Sequence, residues 1–343
     1  MPGNELMFER RVLPRFMAAN GRPPATSTEV RQLMTQDGYY QFWSATQRLS
    51  QEMMWSAVAD SVEQTDATLA TRADESASRR TRPLGSLRLD SGLPIPRYHV
   101  AADIHLQPGG YHSDRGAGDV ASGALYERAL SIYQPDSPGL LHDGMGRFLS
   151  DWYARQFAER RPERILDMGC GIGNNSVAWA RRYPEADLQA IDVAAPMLRY
   201  GHQRSQELGI AVNFSQQNAE QTDFATASFD LVLSHIMLHE TSRLALGNIL
   251  RECHRLLRPG GIMLHLEIPR GDTPFEKFMY NWETYNNNET FAGYLTEADL
   301  AAHAVQAGFA PDATSLIGAD PGAGKTRHLY SRSFRWKILC AQR

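Results

Sequence analysis

The chain has 343 residues, with 35 Lys and Arg against 39 Asp and Glu and a formal charge of −4. At about 100–200 residues per domain, that length predicts two domains or one with a long extension. Mild acidity and short basic runs, Arg79, Arg80 and Arg82, then Arg160, Arg161 and Arg164, argue against a nucleic-acid partner. No apolar run reaches the roughly 18–20 residues that span a bilayer, so no membrane partner is expected. The opening residues, Met1-Pro2-Gly3-Asn4-Glu5, lack the basic and apolar regions of a secretion signal. Cys170, Cys253 and Cys340 stand far apart, which fits reduced thiols and predicts a cytoplasmic protein.

Taken in chain order, residues 1–70 read as helical, with Thr26-Ser27-Thr28-Glu29 as a helix start. Residues 71–97 are rich in Arg, Ser and Pro and read as a linker or exposed arm. A Gly/His/Tyr loop follows, Gln107-Pro108-Gly109-Gly110-Tyr111-His112. From Leu140 the pattern becomes regular: a helix near 140–160, then strands at 164–168, 188–193, 212–215, 229–234, 262–268, 314–317 and 334–340. Helical stretches at 197–208 and 244–257 lie between them, which calls for a mainly parallel sheet. The last two strands have no helix between them and predict a hairpin. Ala319–Thr326 imitates a phosphate-binding loop, but Ala319 replaces a required glycine and a strand follows, so that reading fails.

The strongest signal is Ile165-Leu166-Asp167-Met168-Gly169-Cys170-Gly171-Ile172-Gly173, a buried strand running into a glycine turn. Glycines there permit a tight turn and close approach of a ligand to the backbone. Asn174 stands where a dinucleotide fingerprint has its third glycine, which speaks against a nicotinamide cofactor. The next strand ends in Asp192, nineteen residues after Gly173, where a carboxylate can take both hydroxyls of a ribose.

On these residues the chain resembles the class I S-adenosylmethionine-dependent methyltransferases of the small-molecule type, over roughly residues 140–343. Ser234-His235-Ile236-Met237 after the fourth strand and the Leu257-Arg258-Pro259-Gly260-Gly261 turn fit the same resemblance. It implies a Rossmann-like α/β sheet, residues 139–343, with a mostly helical N-terminal region, residues 1–138, as lid or dimerisation element. S-adenosylmethionine is the implied cofactor, and a homodimer is one expectation. The implied cofactor contacts are Asp167, Gly169, Gly171, Gly173, Asp192, Met197, Asn218, Ala219 and Ser234.

Methyl transfer from a sulfonium is mostly a matter of placement, with an optional base for a hydroxyl acceptor. Candidate catalytic residues are His239 and Glu240 after the fourth strand, His265 and Glu267, which share one side of the fifth, and Tyr285 and Asn287 beyond it. The pair His265 and Glu267 reads either as a histidine oriented by a carboxylate or as structural polar groups. These residues lack a helical His-Glu-x-x-His spacing, and no metal is expected. Substrate walls are expected from Tyr111 and His112, and from a loop after the fifth strand carrying Trp282, Tyr285, Asn286 and Asn287. Two rivals stay open: a lyase that cyclises S-adenosylmethionine and releases methylthioadenosine, and a non-catalytic binding module.

Overall fold

A computed structural model describes residues 2–65, 84–133, 142–320 and 335–343. Eight strands form one sheet in the order β1-β4-β3-β2-β5-β6-β8-β7. They are β1 (Ser86–Arg88), β2 (Arg164–Met168), β3 (Asp187–Asp192), β4 (Asn213–Gln216), β5 (Phe229–His235), β6 (Leu257–Arg270), β7 (Thr314–Ala319) and β8 (Arg335–Gln342). The first six run parallel, while β8 is antiparallel to both β6 and β7. The strand order reverses between β2 and β5, where open α/β sheets leave a crevice at their carboxyl ends.

Alternation along the buried strands sends side chains to two cores. Ile165, Leu231, Leu233 and Leu264 pack with Leu149, Tyr153 and Trp179 of helices Gly144–Gln156 and Asn174–Arg182. Leu166, Met168, Val232 and Met263 pack with Leu246, Ile249 and Leu250 of helix Arg243–Leu256. Helices therefore cover both faces, as a parallel sheet requires. The turn at Leu257–Gly261 is absorbed into β6: Leu257 pairs with Phe229 but Ile262 already pairs with Leu231, so the residues between bulge out.

Two expectations are corrected. Residues 84–97 are not a free linker, because β1 pairs in parallel with β4 at the sheet edge; residues 71–83 lie outside the described residues. The segment holding Trp282 to Asn286 is not a loop but the end of helix Pro274–Asn286. Thr273 caps that helix by accepting from Glu276 N–H, Glu276 reaches back to the Thr273 N–H, and Pro274 fits the first turn. Of the imitation phosphate loop, Ala319 ends β7, and residues 321–326 lie outside the described residues.

The N-terminal helices are built into the molecule. Val30 and Met34 of helix Ser27–Met34 pack with Phe278, Met279 and Trp282. Trp55, Val58 and Val62 of the long helix Gly38–Glu63 pack on Ala124, Leu125 and Ala129 of helix Ala121–Tyr133. Among the described residues, no helix is long and apolar enough to cross a membrane.

Candidate active site

A cavity opens at the carboxyl ends of β2, β3 and β5, and its two ends differ in chemistry. At one end β2 runs into the glycine turn. Gly169 has a φ of +64°, and a Cβ there would stand 2.2 Å from Met237 Cγ. Gly173, at φ +79°, precedes helix Asn174–Arg182, and its Cβ would stand 2.9 Å from Phe214 Cζ. Both positions need glycine for conformation and for space. Gly171 faces the cavity, where a Cβ would meet only Met197 Cε at 3.6 Å.

Asp192 ties the turn to the next strand. Its Oδ2 accepts from Gly171 N–H and its Oδ1 from Ala194 N–H, each at 2.9 Å. Each oxygen keeps acceptor capacity for the cavity it borders. Met197, Asn218 and Ala219 line the same end. Asn218 is held in place by Glu220 N–H, which donates to its Oδ1 at 2.9 Å. Asn174 and Asn175 also border the cavity, and each has a buried Oδ1 with no partner. A ligand with a vicinal diol and an amino-acid end fits these groups.

Asp167 borders the cavity but is occupied with the helix start. It accepts from Asn175 Nδ2 at 2.9 Å and Ser176 Oγ at 2.6 Å. Burial pushes its carboxyl up to about 7, against those hydrogen bonds and with help from the Asp192 charge.

The other end is aromatic and ionisable. Tyr111 meets Tyr126 edge to face at 5.7 Å between centroids, and lies 6.4 Å from the His105 ring. Burial and the charges of Glu240 and Asp192 push the Tyr126 hydroxyl up to about 12, so it stays protonated. His105 Nε2 stands 3.3 Å from Glu240 Oε1, and His239 Nε2 stands 3.5 Å from the same oxygen. Burial alone would lower the His239 imidazole, but the neighbouring Glu240 and Glu267 carboxylates hold it well above its usual range. Burial would raise the Glu240 carboxyl, yet the two imidazoles hold it far below.

Residues 165–261 match a family model described as "Methyltransferase domain". The chain is 30% identical over 181 residues to the malonyl-[acyl-carrier protein] O-methyltransferase of Pseudescherichia vulneris, covering 53% of this chain and 66% of that one. It is 29% identical over 149 residues to the ubiquinone/menaquinone biosynthesis C-methyltransferase UbiE of Dinoroseobacter shibae, covering 43% and 59%. The chain belongs to the class I S-adenosylmethionine-dependent methyltransferases. It spans no more than two thirds of either relative's length. A solved O-methyltransferase family protein from Burkholderia thailandensis is also similar, at 19% identity and a TM-score of 0.45, covering 66% of this chain and 60% of that one.

Within this methyltransferase the expected residues are only partly brought together. Asp167, Gly169, Gly171, Asp192, Met197, Asn218, Ala219, Tyr111 and Glu240 border the cavity. Gly173 shapes the turn from behind, against Phe214. Ser234 and His265 do not reach the cavity: they bond each other at 2.7 Å beneath it, and His265 Nε2 lies 3.6 Å from Cys253 Sγ. Burial pulls His265 down to about 3, so it is neutral and structural. The histidine oriented by Glu267 is instead His239, through Nδ1 at 3.0 Å. Glu267 also takes the Leu238 N–H at 2.8 Å.

The expected wall after β6 is corrected. Tyr285 is 74% exposed on the outside of its helix. Trp282 is buried against the N-terminal helices and donates to Ser44 Oγ, while Asn286 donates to the Trp282 carbonyl at 2.8 Å. Asn287 bonds Glu283 and Glu289 and does not border the cavity. His112 sits behind His99, with ring centroids 5.8 Å apart. In their place stand His105, Tyr98, His99 and Tyr126, which the sequence reading omits. A lone histidine inside Ile104-His105-Leu106, one turn before the Gly-Gly-Tyr loop, was the available signal. Its backbone is unusual: His105 and Leu106 have φ of +55° and +62°, and the His105 carbonyl accepts from Trp55 Nε1. Two adjacent non-glycine residues in that region mark a place where packing imposes strain.

Proposed function

We propose that the protein transfers a methyl group from S-adenosylmethionine to a small-molecule acceptor. One observation carries this reading: a single cavity joins a glycine turn clamped by Asp192 to a wall of Tyr111, Tyr126, His105 and Glu240. In it, Asp192 holds the ribose, Asn218 and Ala219 border the base, and the open Oδ1 atoms of Asn174 and Asn175 take the ammonium. When bound, the cofactor supplies an electrophilic methyl group on a sulfonium. The chain's own part is to fix the loop through Gly171 N–H, to exclude water with the tyrosine pair, and to orient the acceptor on His105 and Glu240. Placement of this kind supplies much of the rate enhancement when little covalent chemistry is left to the protein.

Tyr98, His105, Tyr111 and Tyr126 all precede residue 139, which supports a division in which residues 1–138 cover the acceptor end. The enzyme is proposed to be cytoplasmic and to act on no nucleic acid. Light scattering reads its oligomeric state, and a monomer removes the dimerisation role of the N-terminal region.

The test is mass spectrometry of S-adenosylmethionine incubated with the protein and pools of small hydroxyl, thiol and amine compounds. S-adenosylhomocysteine formed only with an acceptor is the expected result. Methylthioadenosine accumulating without any acceptor replaces methyl transfer by cyclisation. Failure of S-adenosylhomocysteine to bind in calorimetry leaves only the scaffold reading.

A further inference from the structure

Five ionisable side chains form an unbroken line behind the aromatic wall. Glu289 Oε1 lies 3.3 Å from His105 Nδ1, and Glu267 Oε2 lies 3.0 Å from His239 Nδ1. The two Nε2 atoms both approach Glu240 Oε1, at 3.3 and 3.5 Å. Each imidazole thus turns one nitrogen to its own buried carboxylate and the other to a shared point at the cavity edge. The carboxylates are themselves held, Glu267 by Leu238 N–H at 2.8 Å and Glu289 by Asn287 Nδ2 at 3.2 Å.

We propose that His105, His239 and Glu240 form a binding site for one first-row divalent metal ion, with zinc the best match to two imidazoles and a carboxylate. Their three donor atoms lie within 4.8 Å of one another. Charge-assisted N–H···O bonds run about 2.7–2.9 Å, shorter than either Nε2 separation here. Ligands about 2.0–2.1 Å from an ion stand roughly 3–3.5 Å from each other, which matches the two Nε2–Oε1 separations. An imidazole bound to metal through Nε2 ordinarily gives its Nδ1–H to a carboxylate or carbonyl, and both rings have that carboxylate. Charge agrees: three carboxylates crowd two imidazoles, and a divalent cation between the Nε2 atoms offsets two of the three negative charges. The sequence spacing predicts no metal because the ligands come from two separate single-turn 3₁₀ helices, Ile104–Leu106 and Leu238–Glu240.

His105 and Glu240 border the cavity, so the ion keeps an open side toward it. On the methyltransferase reading, on which this clause alone rests, the acceptor is a thiol or hydroxyl compound whose anionic sulfur or oxygen ligates the ion.

The test uses the full chain, stripped with EDTA and dialysed, then titrated with Co²⁺ and Zn²⁺. One equivalent is expected to bind, with visible cobalt absorption displaced by Zn²⁺. Glu240→Gln and His105→Asn should each weaken Zn²⁺ at least tenfold while S-adenosylhomocysteine affinity, measured in the same samples, stays within about twofold. Retained S-adenosylhomocysteine binding shows that the variants fold, and its absence from the wild type would count against the methyltransferase reading alone. No stoichiometric metal binding in the wild type, or equal binding in both variants, overturns the metal site.

Discussion

Asp192 uses one oxygen on Gly171 N–H and the other on Ala194 N–H, so its carboxylate both shapes the turn and faces the cavity. Asp192→Ala removes two charge-assisted acceptors, each worth about 1.5–3 kcal/mol where water is excluded. S-adenosylhomocysteine affinity should fall at least about a hundredfold while circular dichroism remains that of a folded protein; unchanged affinity in calorimetry removes the cofactor assignment. Tyr285 gives the opposite expectation. It is 74% exposed, and Arg48 Nη1 donates to its backbone carbonyl at 3.5 Å. Tyr285→Ala should leave both turnover and cofactor affinity within about twofold, since exposed substitutions away from special contacts stay near ±0.5 kcal/mol. A selective loss of turnover would return that residue to the acceptor site.

At the scale of elements, helix Pro274–Asn286 joins the N-terminal helices to the sheet, and its start rests on the reciprocal bonds of Thr273 and Glu276. Thr273→Ala removes a cap worth about 0.5–2 kcal/mol. The thermal midpoint should drop by a few degrees with S-adenosylhomocysteine affinity unchanged, because the cofactor end touches none of this helix; a cofactor defect in differential scanning fluorimetry would contradict that separation. The same element shows what could be read from sequence. The glycine turn and Asp192 were legible because strand, turn and acid lie close in the chain and each has a local physical reason. The helix was misread as a loop because three consecutive asparagines, Asn286 to Asn288, look like a turn, whereas the capping signal lies thirteen residues earlier at Thr273. The acceptor wall was legible only in part, at Tyr111 and Glu240. His105, Glu240 and Glu289 are far apart in sequence and meet only through tertiary packing, so no local pattern announces them.

For the whole molecule, two buried histidines contribute to how stability follows pH. Burial pulls His265 down to about 3, and burial together with the charge of His239 pulls His235 down to about 4. An unfolded histidine titrates near 6.5, so below that pH the unfolded chain binds protons that these folded side chains refuse. Their contribution to stability is therefore full above pH 6.5 and shrinks as pH falls toward 4. Asp167 acts in the other direction. Its carboxyl is raised to about 7, so it keeps a proton in the folded state that the unfolded chain has released, and it favours folding on the acid side of that pH. Other shifted groups add to the slope of the wild type, so the difference between two proteins is what isolates a single group. His265→Asn keeps a partner for Ser234 Oγ but cannot titrate. Each unit of pH moves the stability of a one-proton difference by about 1.4 kcal/mol, so between pH 6.5 and 5 the wild type should lose about 2 kcal/mol relative to the variant. Urea unfolding of both proteins across that range measures it. Parallel curves would mean that His265 is protonated in the fold, and its bond to Ser234 would then have to be reassigned as one to a charged ring.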